Sequence, residues 1–262
     1  MTFMQSFLRQ TVVPISLSLS CLGLQAQMNS SAGTKPPGSA KQPLYYVDAT
    51  VLDLSLVLPS PPPQDSSVTE AEIAEIRRIE QSRTPEQIAA ARVDDKEEDI
   101  FIYKNILGGA FVPDELPQTR LLSAHILSDQ SVLGLPTKIR FGRPRPYLYK
   151  NDLRPVCAVP TTPAYPSGHA FSGYLFAFAL IQIVPEKKDD ILRRADEYGN
   201  NRMICGAHYK SDIAASHDAA LVVFGYMLAN PRFAKELEAA RAETRHRLGM
   251  TLNPATESKK MP

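Results

Sequence analysis

The chain has 262 residues, 44% of them hydrophobic and 22% charged, which is the composition of a globular protein that can bury a core. Its 29 basic and 28 acidic residues leave a formal net charge of +1, and no basic face or arginine-rich arm is visible, which argues against a nucleic-acid-binding protein. Three cysteines without a CxxC pair exclude a disulfide-rich scaffold and a zinc or iron–sulfur site of that kind.

Residues 1–26 predict a secretory signal peptide. Arg9 is the one charged residue before an uncharged stretch from Thr11 to Leu24, and Ala26 supplies a small residue before a cleavage point. This interpretation predicts a periplasmic or secreted protein. Two alternatives stay open, a disordered cytosolic N-terminus and a lipoprotein anchored at Cys21.

Removal of the leader would leave Cys157 and Cys205. In an oxidising compartment this even pair could form a disulfide. Two buried free thiols account for the pair equally well, because cysteine packs as a small apolar residue. The spacing of the two residues does not decide between these interpretations.

Residues 27–66 predict an extended arm that lies over the domain. The segment is rich in serine, proline, glycine and glutamine, and Pro61-Pro62-Pro63 excludes helix and favours polyproline geometry. Only residues 44–58 carry enough apolar side chains to pack. Residues 67–250 then predict a helical domain, and residues 251–262 a polar tail.

The region 67–250 predicts an all-α fold, a single compact multi-helix domain. Thr69 and Thr84 each begin a capping signal, and no alternating pattern is long enough for a sheet. The longest apolar stretch, residues 170–184, is too short to cross a bilayer, which needs about 20 residues. Further helices are predicted at Asp99–Leu107, Pro117–Leu133, Gly168–Val184, Glu186–Tyr198, Ser211–Ala229 and Pro231–Arg247.

The first cluster of chemically informative residues is the basic run from Lys138 to Pro146. It holds four cations within eight residues and two prolines that stiffen it. Cations at this density repel one another unless an anion lies nearby. A solvated basic loop is the alternative interpretation.

The second cluster is Pro166-Ser167-Gly168-His169, directly before an apolar helix. Ser167 is a good N-cap, and Gly168 allows the backbone to approach a ligand closely. Because free N–H groups and the positive end of the dipole lie at a helix start, the pattern predicts an anion site next to a titratable histidine. An ordinary capped helix with an exposed histidine would show the same pattern.

The third cluster contains Arg202, His208 and Asp212. The four-residue spacing from His208 to Asp212 allows the carboxylate to accept a hydrogen bond from one ring nitrogen. That bond would fix the tautomer and leave the other nitrogen free as a nucleophile. A simple contact on a helix surface is the alternative.

Taken together, the three clusters resemble the tripartite signature of the type 2 phosphatidic acid phosphatase superfamily. Here the signature stands as Lys138 with Arg145-Pro146, then Pro166 to His169, then Arg202 with His208 and Asp212. The leader and the Ile-Cys-Gly run before the second histidine look like the class A bacterial non-specific acid phosphatases. Asn201 departs from the serine that the family has before the arginine, which predicts altered contacts around the site.

The resemblance implies a phosphate site built on fixed cations, which are the main catalytic resource in phosphoryl transfer. It assigns no cofactor and no metal, because the cations neutralise the phosphoryl charge. Small organic phosphomonoesters and inorganic phosphate are the implied ligands. The implied phosphate-binding residues are Lys138, Arg145, Ser167, Gly168 and Arg202.

The resemblance also implies the roles of the histidines. His208 attacks phosphorus and becomes a phosphohistidine, and Asp212 orients its ring. His169 protonates the leaving oxygen and then activates water, so activity is expected to favour mildly acidic pH. Apolar, capped helices are compatible with a homo-oligomer.

Two further functions stay open. A vanadate-dependent haloperoxidase uses the same constellation to hold vanadate, although the modest length and the Ile-Cys-Gly run argue against it. A non-catalytic phosphoester-binding protein would need the cations but not His208. The favoured prediction is a metal-independent acid phosphatase with a broad substrate range.

Overall fold

The structure is a computed structural model that describes residues 43–251. Within this range the chain forms helices and loops with no β-strand, which confirms the predicted all-α fold. Three short 3₁₀ helices lie at Ile100–Tyr103, Pro113–Glu115 and Pro185–Lys187. The α-helices are α1 (Leu54–Val57), α2 (Ser67–Ser82), α3 (Pro85–Asp94), α4 (Lys104–Leu107), α5 (Pro117–Phe141), α6 (Pro146–Tyr149), α7 (Gly168–Ile183), α8 (Lys188–Ile204), α9 (Lys210–Leu228) and α10 (Pro231–Arg247).

Two helices are longer than the sequence pattern predicts. Helix α5 continues past its predicted end at Leu133, although it contains Pro136, and the Thr137 hydroxyl donates a hydrogen bond to the Leu133 carbonyl at 2.8 Å. Helix α8 likewise continues beyond Tyr198 to Ile204. Tertiary packing therefore overrides local helix-breaking signals, so that cations predicted to lie beyond the helices occupy their last turns.

Helix α7 is the central element of the domain. It packs against α5, α8, α9 and α10. Its own side chains are mostly apolar and buried on all faces of the helix, as expected for a helix that neighbouring elements cover. Its first turn begins half-buried at Gly168 and His169 and is fully buried from Ala170 onward.

The described part of the predicted arm runs along α5. The Asp129 carboxylate accepts the backbone N–H groups of Tyr45, Tyr46 and Val47 at 2.6, 2.8 and 3.0 Å. The segment is not extended throughout, because α1 forms one helical turn whose N-cap is Asp53. A buried carboxylate on α5 thus holds the segment in place.

A disulfide joins Cys157 to Cys205. It connects the loop between α6 and α7 to the end of α8, and it decides between the two interpretations of the cysteine pair. The predicted signal peptide, Cys21 and nearly all of the polar tail lie outside the described residues. Among the helices of residues 43–251, none is both long and apolar enough to cross a bilayer.

Candidate active site

His208 and Asp212 form a buried pair at the start of α9. The His208 Nδ1 atom lies 3.1 Å from Asp212 Oδ2, and the two side chains are 2% and 0% exposed. The same carboxylate oxygen accepts the backbone N–H of Tyr209 at 2.9 Å. The carboxylate is therefore held rigidly against the imidazole ring.

The contact with Arg145 reveals which nitrogen of His208 carries the proton. Its Nη1 atom lies 2.8 Å from His208 Nε2 and 3.1 Å from the Ala207 carbonyl, and its Nε donates to the Thr162 carbonyl at 2.9 Å. A guanidinium can only donate, so Nε2 of His208 must accept. The proton accordingly resides on Nδ1, facing Asp212, and the lone pair of Nε2 faces a cation.

Lys138 is a buried cation beside this pair. Its ammonium group donates to the carbonyls of Pro163 and Ala164 at 3.2 and 3.3 Å and to that of Pro166. Burial lowers the pKa of Lys138 to about 7, and the charge of Arg145 acts in the same direction. An anion between these cations would relieve their repulsion.

Arg202 brings the third motif toward the second. Its Nη1 atom donates to Asp95 Oδ1 at 2.7 Å, while the Asp95 carbonyl lies 3.2 Å from His169 Nε2. The Arg202 Nε–H is buried and has no hydrogen-bond partner among residues 43–251. An unpartnered guanidinium donor of this kind is costly unless a ligand oxygen accepts from it.

The start of α7 is fixed to α9 through both backbone groups of Ser167. Its N–H donates to the Asp212 carbonyl at 3.1 Å, and its carbonyl accepts from the Ser216 hydroxyl at 2.8 Å. A Cβ at Gly168 would contact Lys138 Cε at 3.8 Å, within ordinary van der Waals range. The helix start, with its free N–H groups, therefore lies next to the Lys138 cation.

The two histidines differ in their electrostatic surroundings. Burial, together with the charges of Arg145, Lys138 and Arg202, holds the pKa of His208 well below its usual range. Burial and Arg202 also lower the pKa of His169, but Glu98 opposes that change. His208 is thus neutral, as a nucleophile requires, while His169 lies close to a carboxylate that favours its protonated form.

The structure adds residues that the motif analysis left without a role. Arg143 bridges Asp212 and Glu72, at 2.7 and 2.8 Å. Asp95 forms an ion pair with Arg202, and Glu98 lies 3.9 Å from His169. Arg143 stood in the basic run but outside the motif positions, and no local pattern distinguishes the three carboxylates from surface ones.

Asn201, the departure from the family pattern, lies beside the site rather than in it. Its Nδ2 donates to Asp94 Oδ2 at 2.7 Å, and Asp94 also pairs with Arg194. The amide therefore supports the packing of α3 on α8.

One group of side chains in residues 43–251 has donors close enough to hold a metal ion, namely Asp95, Cys157 and Cys205. The two sulfur atoms of that group are bonded to each other. A thiolate is the form of cysteine that ligates a metal, so this group does not fit one.

The PAP2 superfamily matches residues 119–235 of the chain. This range contains all three motifs and the helices that carry them. Residues 119–235 form a PAP2 superfamily domain. The assignment confirms the resemblance drawn from the three motifs, and it places the buried cations and both histidines within one family unit.

Acid phosphatases are among the relatives of this PAP2 domain. The chain is 28% identical over 226 residues to a non-specific acid phosphatase of Providencia stuartii, covering 79% of this chain and 89% of that protein. It is 31% identical over 147 residues to a non-specific acid phosphatase of Salmonella typhimurium, covering 54% of this chain and 59% of that one. These relatives confirm the expected likeness to acid phosphatases.

Two solved structures are more distantly similar. One is a bacterial vanadium-dependent iodoperoxidase, with a TM-score of 0.49 and 17% identity, covering 66% of this chain and 51% of that one. The other is a transmembrane PAP2-type phosphatidylglycerolphosphate phosphatase from Bacillus subtilis, with a TM-score of 0.46 and 18% identity, covering 67% and 89%. Similarity at this level does not distinguish between the two activities.

Proposed function

We propose that this PAP2 domain is a metal-independent acid phosphatase that hydrolyses phosphate monoesters through a phosphohistidine on His208. The observation that carries the proposal is the state of the His208 ring. Nδ1 is held by Asp212, and the lone pair of Nε2 faces Arg145. A neutral imidazole with one oriented lone pair next to buried cations is suited to attack a phosphoryl group.

Substrate binding would exchange internal hydrogen bonds for bonds to phosphate. A phosphoryl oxygen accepts from Arg145 in place of His208 Nε2, which frees that lone pair. A second oxygen accepts from the orphaned Nε–H of Arg202. Lys138 and the N–H groups at the start of α7, beside Ser167 and Gly168, complete the cradle.

The reaction would then proceed in two displacements. His208 Nε2 forms a bond to phosphorus as the ester P–O bond breaks, and His169 donates its proton to the leaving oxygen. Water next attacks the phosphoryl group, giving its proton to His169 while the P–N bond breaks. Phosphate and neutral His208 are released, and His169 is protonated again.

The proposed mechanism requires no metal because fixed cations neutralise the phosphoryl oxygens. These cations are buried: the exposed fraction is 8% for Lys138, 3% for Arg145 and 1% for Arg202. Their charges therefore act in a medium of low dielectric constant. Buried charges that are already in place need little reorganisation during a reaction, which is the advantage of a preorganised site. A chelator is therefore expected to leave turnover unchanged.

The disulfide supports the proposed location outside the cytoplasm. Bonds of this kind form and persist in oxidising compartments, such as the periplasm and the cell exterior. Cys157 and Cys205 are joined in the structure. We therefore propose that the enzyme lies in the periplasm or outside the cell. Its proposed substrates are a broad range of small phosphomonoesters.

The decisive test is to trap the intermediate. The purified protein is mixed briefly with ³²P-labelled phosphomonoester and quenched in base, and the acid-labile adduct is mapped by mass spectrometry. We expect the label on His208 and its loss in His208→Ala. His217→Ala, which alters a partly exposed histidine of α9, serves as the matched control and should keep the label. Turnover without a His208 adduct would refute the mechanism.

A further inference from the structure

Arg143 is buried between two carboxylates and contacts no group assigned to substrate. Its Nη1 atom donates to Asp212 Oδ1 and to the Ser211 hydroxyl, both at 2.7 Å. Its Nη2 atom donates to Glu72 Oε2 at 2.8 Å. The side chain is 5% exposed, so these bonds are protected from water.

Glu72 connects this arrangement to α2. Its second carboxylate oxygen accepts the backbone N–H of Ser211 at 2.6 Å, in the first turn of α9. A carboxylate at that position satisfies a free helix N–H and interacts favourably with the helix dipole. The ring of Tyr209 lies beneath Arg143, with the guanidinium carbon 3.8 Å from its centroid. Arg143 is thereby fixed from three sides.

The charge of Asp212 depends on this contact. Asp212 is fully buried, and burial raises the pKa of a carboxyl group, whereas the charge of Arg143 opposes that rise. A protonated Asp212 would donate to Nδ1 of His208 instead of accepting from it. The ring proton would then lie on Nε2, and no lone pair would be available to attack phosphorus.

We propose that Arg143 is a positioning residue that holds Asp212 in the ionised, correctly directed state on which the nucleophilic tautomer of His208 depends, with Glu72 fixing Arg143 from α2. This inference rests on the proposed function. It adds to the His208–Asp212 pair an outer layer composed of Arg143 and Glu72, and it gives α2 a role in the reaction.

The principal variant is Arg143→Met, which keeps much of the side-chain length and removes the charge. In metal sites, loss of a group that orients a ligating histidine typically reduces activity about 10- to 100-fold, and by analogy we expect kcat to fall by a similar factor when Asp212 loses Arg143. The inhibition constant for inorganic phosphate should change less than about threefold, because Arg143 touches none of the phosphate-binding groups. Arg143→Lys, which retains the charge, should recover part of kcat.

A double-mutant cycle separates this role from a general loss of structure. Arg143→Met is introduced into both the wild-type protein and Asp212→Asn. If Arg143 acts through the Asp212 carboxylate, its removal changes kcat less than about threefold in the Asp212→Asn background. Equal losses in the two backgrounds would overturn the inference.

Arg245→Met is the matched control, since Arg245 is equally buried and pairs with Glu186 away from the site. It should lower thermal stability without lowering the kcat of the folded protein. Should Arg143→Met fail to fold, Glu72→Gln tests the same arrangement with a milder change and should reduce kcat by less.

The phosphohistidine assay distinguishes the two proposals. An adduct on His208 in the wild type, combined with additive losses in the cycle, would overturn the role of Arg143 alone. Turnover by the wild type without that adduct would overturn the proposed mechanism, and the inference with it.

Discussion

His169 lies between charges of opposite sign. Burial and the Arg202 guanidinium lower the pKa of His169, while the Glu98 carboxylate, 3.9 Å away, and Asp95 raise it. Only the protonated imidazole can protonate a leaving group. Activity is therefore present below the pKa of His169 and is lost as the pH rises through it. Deprotonation of Lys138, near pH 7, removes activity in the same direction.

The pH dependence can be tested at Glu98. We expect Glu98→Gln to lower the pKa of His169, so that the alkaline limb of the kcat/KM profile moves down by about 0.5–1 pH unit. The profile is measured with a nitrophenyl phosphate. Glu97→Gln is the control because Glu97 pairs with Lys104 at the surface. An alkaline limb that does not move in Glu98→Gln would show that the carboxylate does not set this pKa.

Asn201 allows a test of the site's boundary. Its amide contacts Asp94 instead of the cations. We expect Asn201→Ala to lower the free energy of unfolding by about 1 kcal/mol, the value of one hydrogen bond, and to change kcat/KM less than about threefold. Urea unfolding and steady-state kinetics measure the two quantities. A larger loss in the affinity for phosphate would place Asn201 in the phosphate site.

At the scale of elements, the packing of α7 on α8 determines how the motifs meet. Gly173 of α7 leaves room for the ring of Tyr198, whose hydroxyl donates to the Glu97 carbonyl at 2.6 Å. A Cβ at Gly173 would lie 2.7 Å from that ring, closer than a real contact allows. The close approach of the two helices accordingly depends on a glycine.

This close approach yields a stability prediction. Gly173→Ala should destabilise the fold by about 1–3 kcal/mol through overpacking, even though alanine favours helix. Gly225→Ala, at an open position on α9, should stabilise it by about 0.5–1 kcal/mol. Chemical denaturation compares the two variants. If both substitutions stabilise the protein, the close contact between Gly173 of α7 and Tyr198 of α8 is contradicted.

Element boundaries were predictable only where local chemistry sets them. The Thr84 capping box is present, with Thr84 and Gln87 hydrogen-bonded reciprocally. The capping box predicted at Thr69 is wrong, because Ser66 caps α2 and its hydroxyl accepts the Thr69 N–H. The local sequence did not predict the C-terminal ends of α5 and α8. The predicted end of α5 at Leu133 is wrong because the helix continues through Pro136 to Phe141.

For the whole molecule, the disulfide ties the loop that precedes the second motif to the segment that carries the third motif. Cys157 is followed by Ala158, whose backbone N–H donates to the Asp95 carboxylate. Cys205 lies between Arg202 and His208 in the sequence. The bond therefore ties together the segments that contact the site cations.

Loss of this bond should reduce stability. Cys157→Ala combined with Cys205→Ala is expected to lower the free energy of unfolding by about 2–4 kcal/mol, chiefly by releasing a constraint on the unfolded chain. Thermal and urea unfolding measure the change. Dithiothreitol should destabilise the wild type to a similar extent and leave the double variant unaffected. A wild type that is insensitive to full reduction would contradict this account.

By itself, the sequence determined the helical class, the PAP2 resemblance and the identity of the cations and histidines, because each is written in residue types at fixed short spacings. The tautomer of His208, the free donor of Arg202 and the role of Arg143 were decided only by the tertiary structure. Glu72 and Asp212 are far apart along the chain and meet at one guanidinium. No local spacing encodes such a contact, since it exists only once α2 and α9 have packed together.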